Sequence, residues 1–234
     1  KFSMKNNFQN TLPLEAGRVS PKASKAAAKS GNPVGDIVTP DQNPFVHHLF
    51  STPIWHNKCI DNFGQVQDEL DEVIPQIDFK MIPSWGSTHY LSTQNFRDDL
   101  FEKYKLDALL KEIQRNVIAY CKELRFETRP FQLTSWLSKF GQGCYGHIHN
   151  HGTSDISGVY YYSTNGEDGN IFFQTPAPGH EMSRCFSQYC GGARHYIPRE
   201  GVLLLFPGFL DHGINTNTTD NVRISLSFNI NFKQ

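Results

Sequence analysis

From Arg129 onward, apolar residues recur at every second position, and this pattern restricts the second half of the chain to extended strands. It is clearest in Val222 to Phe232. There Val222, Ile224, Leu226, Phe228 and Ile230 share one face, and Arg223, Ser225, Ser227, Asn229 and Asn231 share the other. Phe131 to Phe140 alternates in the same way. Cys144 to His151, Ser157 to Ser163, Asn170 to Gln174, His195 to Pro198 and Val202 to Phe206 read as further strands. Turn signals separate them at Gly141-Gln142-Gly143, Asn165-Gly166 and Glu200-Gly201. Seven or eight short strands predict a mainly β domain, a sandwich or a small barrel. Phe and Tyr crowd this half and supply the bulk for its core.

The first half is different. Residues 1–43 are rich in Ala, Ser, Lys, Gly and Pro around Arg18, Lys22, Lys25 and Lys29. With so little to bury, they are expected to form a flexible basic segment ahead of a domain spanning 44–234. Pro44 to Trp55 reads as an edge strand, with His47 and His48 pointing to opposite faces. Asp61 to Gln76 carries Phe63, Val66, Leu70 and Val73 at helical spacing and ends near Pro75. Asp98 to Leu124 has the longest helical stripe, from Leu106 through Leu109, Ile113 and Val117 to Cys121, and should cover the outside of a sheet. Ile77 to Thr93 (with Trp85, His89 and Tyr90) and Ala177 to Gly192 read as irregular loops. Such loops select substrates, and the second is long enough to act as a lid.

Composition excludes several classes. A formal net charge of −1 argues against a dedicated nucleic-acid binder. No apolar run is long enough to span a bilayer, so no membrane partner is expected. The five cysteines are odd in number and match no zinc spacing. Cys185 and Cys190 could pair within a loop, but reduced thiols in a cytoplasmic compartment are the simpler expectation.

One strand carries unusual residues. In Tyr145-Gly146-His147-Ile148-His149-Asn150-His151, three histidines alternate, so a regular strand would aim all three one way. A row of imidazoles makes a poor core and suits convergence on a metal. His212 follows far downstream in Phe206-Pro207-Gly208-Phe209-Leu210-Asp211-His212-Gly213, and Arg223 stands eleven residues later, two positions from Ser225. Three protein ligands would leave positions open on an iron ion for a 2-oxo acid and O₂. The far carboxylate of such an acid needs a cation, which a forked guanidinium beside a hydroxyl supplies.

In these residues the chain resembles the Fe(II)/2-oxoglutarate-dependent oxygenases. The resemblance is specifically to a group, with phage-encoded members, that carries a His-x-His segment five residues ahead of Ser-Gly-Val-Tyr-Tyr. It rests on His149-Asn150-His151, Ser157-Gly158-Val159-Tyr160-Tyr161, the Gly201 to Pro207 strand, His212 and Arg223-Ile224-Ser225, and it extends from about Phe45 to Phe232. It implies a double-stranded β-helix of jelly-roll or cupin-like form, with Fe(II), 2-oxoglutarate and O₂ as reaction partners. The implied reaction hydroxylates a peptide, protein residue or small metabolite with release of succinate and CO₂. The implied location is the cytoplasm, or a host's cytoplasm for a phage-encoded protein. By the same resemblance His149, His151 and His212 are the metal ligands, although most such enzymes have a carboxylate where His151 stands. Asp155 and His147 therefore remain alternative ligands, and Asp211 is a further carboxylate nearby. Arg223 with Ser225 is expected to bind 2-oxoglutarate. Tyr160, Tyr162 and Trp136 are expected on site-facing strands, with Tyr160 the candidate to hydrogen-bond the co-substrate. Asn215 and Asn217 are either supporting residues or turn formers. Two other functions remain open at this point. One is a three-histidine, cupin-type dioxygenase that needs no oxo acid. The other is a β-sandwich binding module without catalysis.

Overall fold

The alternating strands assemble into two antiparallel sheets. The computed structural model describes residues 51–81, 91–93, 99–177, 179, 182, 184–190 and 192–233, within a unit that runs Leu49–Gln234. The basic segment 1–43, His47, His48, Trp85, His89 and Tyr90 lie outside the described residues.

In chain order the elements are β1 (Trp55–Asn57), α1 (Phe63–Val73) with a 3-10 turn (Ile74–Gln76), β2 (Lys80–Met81), β3 (Leu91–Ser92), α2 (Leu100–Tyr104) and α3 (Asp107–Glu123). Then follow β4 (Phe131–Phe140), β5 (Gly146–His149), β6 (Ile156–Ser163), β7 (Ile171–Gln174), α4 (Arg184–Cys190), β8 (Ala193–Tyr196), β9 (Leu203–Pro207), β10 (His212–Ile214) and β11 (Arg223–Phe232). The major sheet has the order β1-β9-β6-β11-β4-β3-β2, and the minor sheet β5-β10-β7-β8. Sequence neighbours are rarely sheet neighbours, as a double-stranded β-helix requires.

The major sheet is clad on one side by helices. Val66 and Leu70 of α1, and Leu109, Ile113 and Val117 of α3, bury against Leu137, Tyr160, Leu203, Leu205, Leu226 and Phe228. Each such side chain contributes roughly 1.5–3 kcal/mol of burial. On its other side the sheet meets the minor one. Val159, Tyr161, Leu204 and Phe206 pack there with Ile171 and Phe173. The two faces of β11 thus have separate duties: Leu226, Phe228 and Ile230 join the helix-side core, while Arg223 and Ser225 line the space between the sheets.

Several boundaries differ from the sequence reading. Among the described residues the edge strand is confined to Trp55–Asn57, where the chain pairs with β9 after Pro53. The stretch 98–124 is two helices. Lys105 turns left-handed (φ 56°) and closes α2, which lets Leu100, Phe101 and Leu106 all bury. The loop expected over 77–93 contains β2 and β3, which extend the major sheet beyond β4. The irregular stretch 177–192 contains α4. Cys185 has a free thiol, as do Cys59 and Cys121; the side chain of Cys190 lies outside the described residues. No described helix is long and apolar enough to cross a membrane.

Candidate functional site

The histidine strand ends sooner than its alternation implies. β5 stops at His149, because Asn150 turns the chain by accepting the Gly152 N–H on its side chain (3.0 Å), with Gly152 at φ 58°. His151 therefore sits on the loop after the strand. Its N–H donates to the carbonyl of Gly208 (2.8 Å), which ties this loop to the one ahead of β10. A Cβ at Gly208 would collide with the backbone of Ser154, so only glycine allows the two loops to approach this closely. The result is convergence from three places. His149 comes from β5, His151 from the loop, and His212 from β10, where it stands directly across the ladder from His149.

One nitrogen from each of these rings lies within 4.8 Å of the others. Nε2 of His151 and Nε2 of His212 are 3.3 Å apart. Nδ1 of His149 meets the carbonyl of His147 (2.7 Å), and Nδ1 of His212 meets the carbonyl of Leu210 (2.8 Å). A carbonyl only accepts, so Nδ1 carries the proton in both rings and Nε2 keeps its lone pair for the centre of the cluster. Burial, reinforced by neighbouring imidazoles, holds the His151 pKa down to about 4 and that of His212 down to about 3. Burial also lowers the pKa of His149. All three rings are thus neutral at physiological pH, as metal ligands must be.

The alternatives are turned elsewhere. His147 is exposed, its ring edge-on to Tyr145 (5.1 Å) and outside the cluster. Asp155 accepts the Phe232 N–H (2.7 Å) and faces a separate surface hollow with Phe126 and Arg129, away from the histidine cluster. Asp211 accepts from the Asn150 side chain (2.7 Å).

The cluster opens into a cavity of about 230 Å³ between the sheets. Trp136, Ser138, Tyr161, Arg223, Ser225 and Ser227 line it with the histidines. Arg223 is only 1 % exposed. Its guanidinium lies over the Phe140 ring (4.4 Å) and donates through Nη1 to the carbonyl of Gly169. Gly169 (φ 103°) has no room for a Cβ against Asn215 and Arg223. Among the described residues, Nε and Nη2 of Arg223 have no partner. Asp168 is buried close by, but its carboxylate is taken up by Thr164 Oγ1 (2.6 Å), the Asn165 N–H (3.0 Å) and Asn221 Nδ2 (2.7 Å). Burial lowers the Arg223 pKa, yet a guanidinium stays protonated. A buried cation with two unused donors in a cavity is a receptor for an anion.

Tyr160, the expected co-substrate partner, faces the helices instead. Its hydroxyl meets Gln67 (3.4 Å) and its ring belongs to the helix-side core. Tyr162 also points away, donating to Asp71 (2.5 Å). Tyr161, one residue along and hence on the other face, lines the cavity. Burial raises its pKa to about 12, so it remains a neutral donor. Trp136 does face the site, its ring 5.6 Å from that of His151. Asn217 is a buried turn former, bonded to the carbonyls of Phe140 (3.0 Å) and Asn221 (2.7 Å). Asn215 meets His195 (3.1 Å).

Comparison with known proteins agrees with this arrangement. A family model described as "Putative 2OG-Fe(II) oxygenase" matches residues 134–229. Among solved structures, a prolyl-4-hydroxylase from Pseudomonas putida has a TM-score of 0.57 at 12 % identity, covering 79 % of this chain and 95 % of its own. HygX from Streptomyces hygroscopicus, solved with nickel, 2-oxoglutarate and hygromycin B bound, has a TM-score of 0.55 at 15 % identity, covering 78 % and 84 %. A 2OG-Fe(II) oxygenase family oxidoreductase from Burkholderia pseudomallei has a TM-score of 0.51 at 12 % identity, covering 74 % and 93 %. No curated protein matches the sequence. The matched segment carries the three histidines and Arg223 and is similar to a 2OG-Fe(II) oxygenase core.

Proposed function

We propose that the protein hydroxylates a C–H bond of an organic substrate, with His149, His151 and His212 holding Fe(II) and Arg223 anchoring 2-oxoglutarate. The observation that carries this reading is the pair of unpartnered donors on a buried Arg223 in the same cavity as the histidine cluster. They fit a carboxylate, whose two oxygens accept a forked pair of N–H bonds. When bound, iron and oxo acid together supply the reduction of O₂, two electrons coming from decarboxylation to succinate and CO₂ and two from the substrate C–H bond.

The chain's own residues do the rest. Backbone carbonyls at His147 and Leu210 fix two imidazoles with Nε2 inward. Ser225, two positions from Arg223 on the same face, offers a hydroxyl beside the carboxylate, and Tyr161 offers a second donor that stays protonated. Three neutral imidazoles leave the metal's charge undiminished by a protein carboxylate, which favours a dianionic co-substrate. Apolar walls from Val159, Ile171 and Phe206 keep bulk water from competing for these donors. Arg223 also weighs against a three-histidine dioxygenase without an oxo acid, since that chemistry has no use for a buried carboxylate receptor.

The direct test is succinate formation from 2-oxoglutarate by protein loaded with Fe(II) under air, with ascorbate present. Succinate that depends on His212 and Arg223 is expected. No turnover from protein shown to bind iron would overturn the assignment.

A further inference from the structure

Main-chain carbonyls aim two of the clustered histidine rings, but not the third. Among the described residues, Nδ1 of His151 has no hydrogen-bond partner; its ring contacts are with Trp136, His149 and His212. His149 and His212 also face each other across the β5–β10 ladder, whereas His151 lies past its end. The place of His151 therefore rests on its loop. Its N–H is held by Gly208, its carbonyl accepts the Ser154 N–H (3.2 Å), and the Asp155 N–H reaches the Ile230 carbonyl (3.0 Å). On the other side stands Asn150, the single residue between His149 and His151.

The Asn150 carboxamide is used at both ends. Oδ1 accepts the Gly152 N–H (3.0 Å), and Nδ2 donates to Oδ1 of Asp211 (2.7 Å). An N–H only donates and an ionised carboxylate only accepts, so the carboxamide has one consistent orientation. Asp211 is a fixed anchor, because its own carbonyl accepts the Gln174 N–H (2.9 Å) just ahead of β10. We propose that Asn150 is a positioning residue, which clasps the His151 loop to Asp211 and thereby sets His151 against His212. The proposal rests on the reading that the three histidines hold the metal, and adds a residue that acts through them. A turn alone needs only an acceptor at position 150, which serine or aspartate also supplies. Neither makes the clasp. The serine hydroxyl is one bond shorter, and an aspartate would set two carboxylates against each other. The clasp joins segments 61 positions apart, each carrying clustered histidines.

The test measures Co(II) affinity of the full chain by titration against a chelator. It also records the visible absorption band of the bound ion, which reports its ligand geometry. Asn150→Ser keeps the turn and loses the clasp. It should bind Co(II) about tenfold more weakly, the worth of one hydrogen bond, with a shifted band. Asp211→Asn keeps an acceptor for Nδ2 and should stay within about threefold of wild type. Asp211→Ala should match Asn150→Ser, and combining the two should add nothing further, because both cut the same bond. The exchange Asn150→Asp/Asp211→Asn reverses donor and acceptor and should recover the wild-type affinity and band. Melting temperatures of the metal-free variants should match wild type, since both residues are exposed. Wild-type affinity in Asn150→Ser, additive losses in the pair, or no recovery on exchange would overturn the clasp. Wild-type protein that fails to bind Co(II) sinks the three-histidine reading and the clasp with it. Binding that is lost in His212→Ala but unaffected in Asn150→Ser sinks the clasp alone.

Discussion

Replacing Arg223 with Met separates a binding role from a structural one, because the two give effects of opposite sign. Met keeps most of the side-chain length and removes the charge. In the ligand-free protein this relieves a buried guanidinium, 1 % exposed, that has a carbonyl partner on Nη1 but none on Nε or Nη2. Loss of the charge-assisted bond to Gly169 costs about 1.5–3 kcal/mol, and relief of the buried charge, worth about 1–4 kcal/mol, offsets it. The melting temperature without ligand should therefore hold or rise. Binding should change in the other direction. Two charge-assisted bonds to a carboxylate are worth about 1.5–3 kcal/mol each, and 1.4 kcal/mol is tenfold. The dissociation constant for 2-oxoglutarate should weaken by roughly a hundredfold to ten-thousandfold. Anaerobic calorimetry on Ni(II)-loaded protein measures this directly, and loss of the 2-oxoglutarate-induced rise in melting temperature reports it independently. An unchanged affinity would refute the reasoning. So would a large drop in ligand-free stability with binding intact, since that would make Arg223 a structural residue.

Single Ala variants at His149, His151 and His212 should each lose iron, measured as metal per chain, while His147→Ala and Asp155→Ala keep it; the reverse result at His151 and Asp155 would restore a carboxylate ligand. Tyr161→Phe should weaken 2-oxoglutarate binding by about tenfold, the worth of one hydrogen bond, and Tyr160→Phe should leave it within twofold in the same titration. In the metal-free protein, His151 and His212 have folded pKa values of about 4 and about 3, below the unfolded value of 6.5. The unfolded chain therefore binds more protons, and stability falls as pH drops from 6.5 towards 4. Melting temperatures between pH 7.5 and 5 should show this decline and a shallower one in His151→Gln; identical slopes would count against neutral, buried rings.

The strands were legible because alternation reports a sheet with one face to a core. β4 matches the predicted Phe131–Phe140, and β11 begins one residue inside its predicted span. Tyr160 and Tyr161 show where this signal fails. β6 is buried on both faces, from Ile156 through Tyr161, so its residues are apolar on both sides and no pattern tells inside from outside. Register against β11 decides it: Tyr161 pairs with Ser225 and Tyr160 with Leu226. His151 could be singled out by spacing but not placed, because the chain leaves the strand before reaching it. Gly169 carried no readable signal, since its role is to bring a carbonyl to a side chain more than fifty positions away. β10 was missed because three residues, Leu210 aside, offer too short a run for a period to show.

The carbonyls of His147 and Leu210 have a consequence for how the protein tolerates mutation. Each orients an imidazole two positions further along the chain. The orienting group is main chain, which every amino acid supplies, so the aim of these two imidazoles does not depend on which side chains occupy positions 147 and 210. Point substitutions there change packing but leave the acceptor in place. Inserting or deleting one residue between 147 and 149, or between 210 and 212, leaves a carbonyl two positions back but slips the register that sets His149 opposite His212. Natural drift by substitution can therefore rewrite the exposed position 147, whereas Leu210 is held by the core and the length of both flanks is fixed. A library varying side chains at 147 should retain iron broadly, and a single-residue insertion after Ile148 should abolish it.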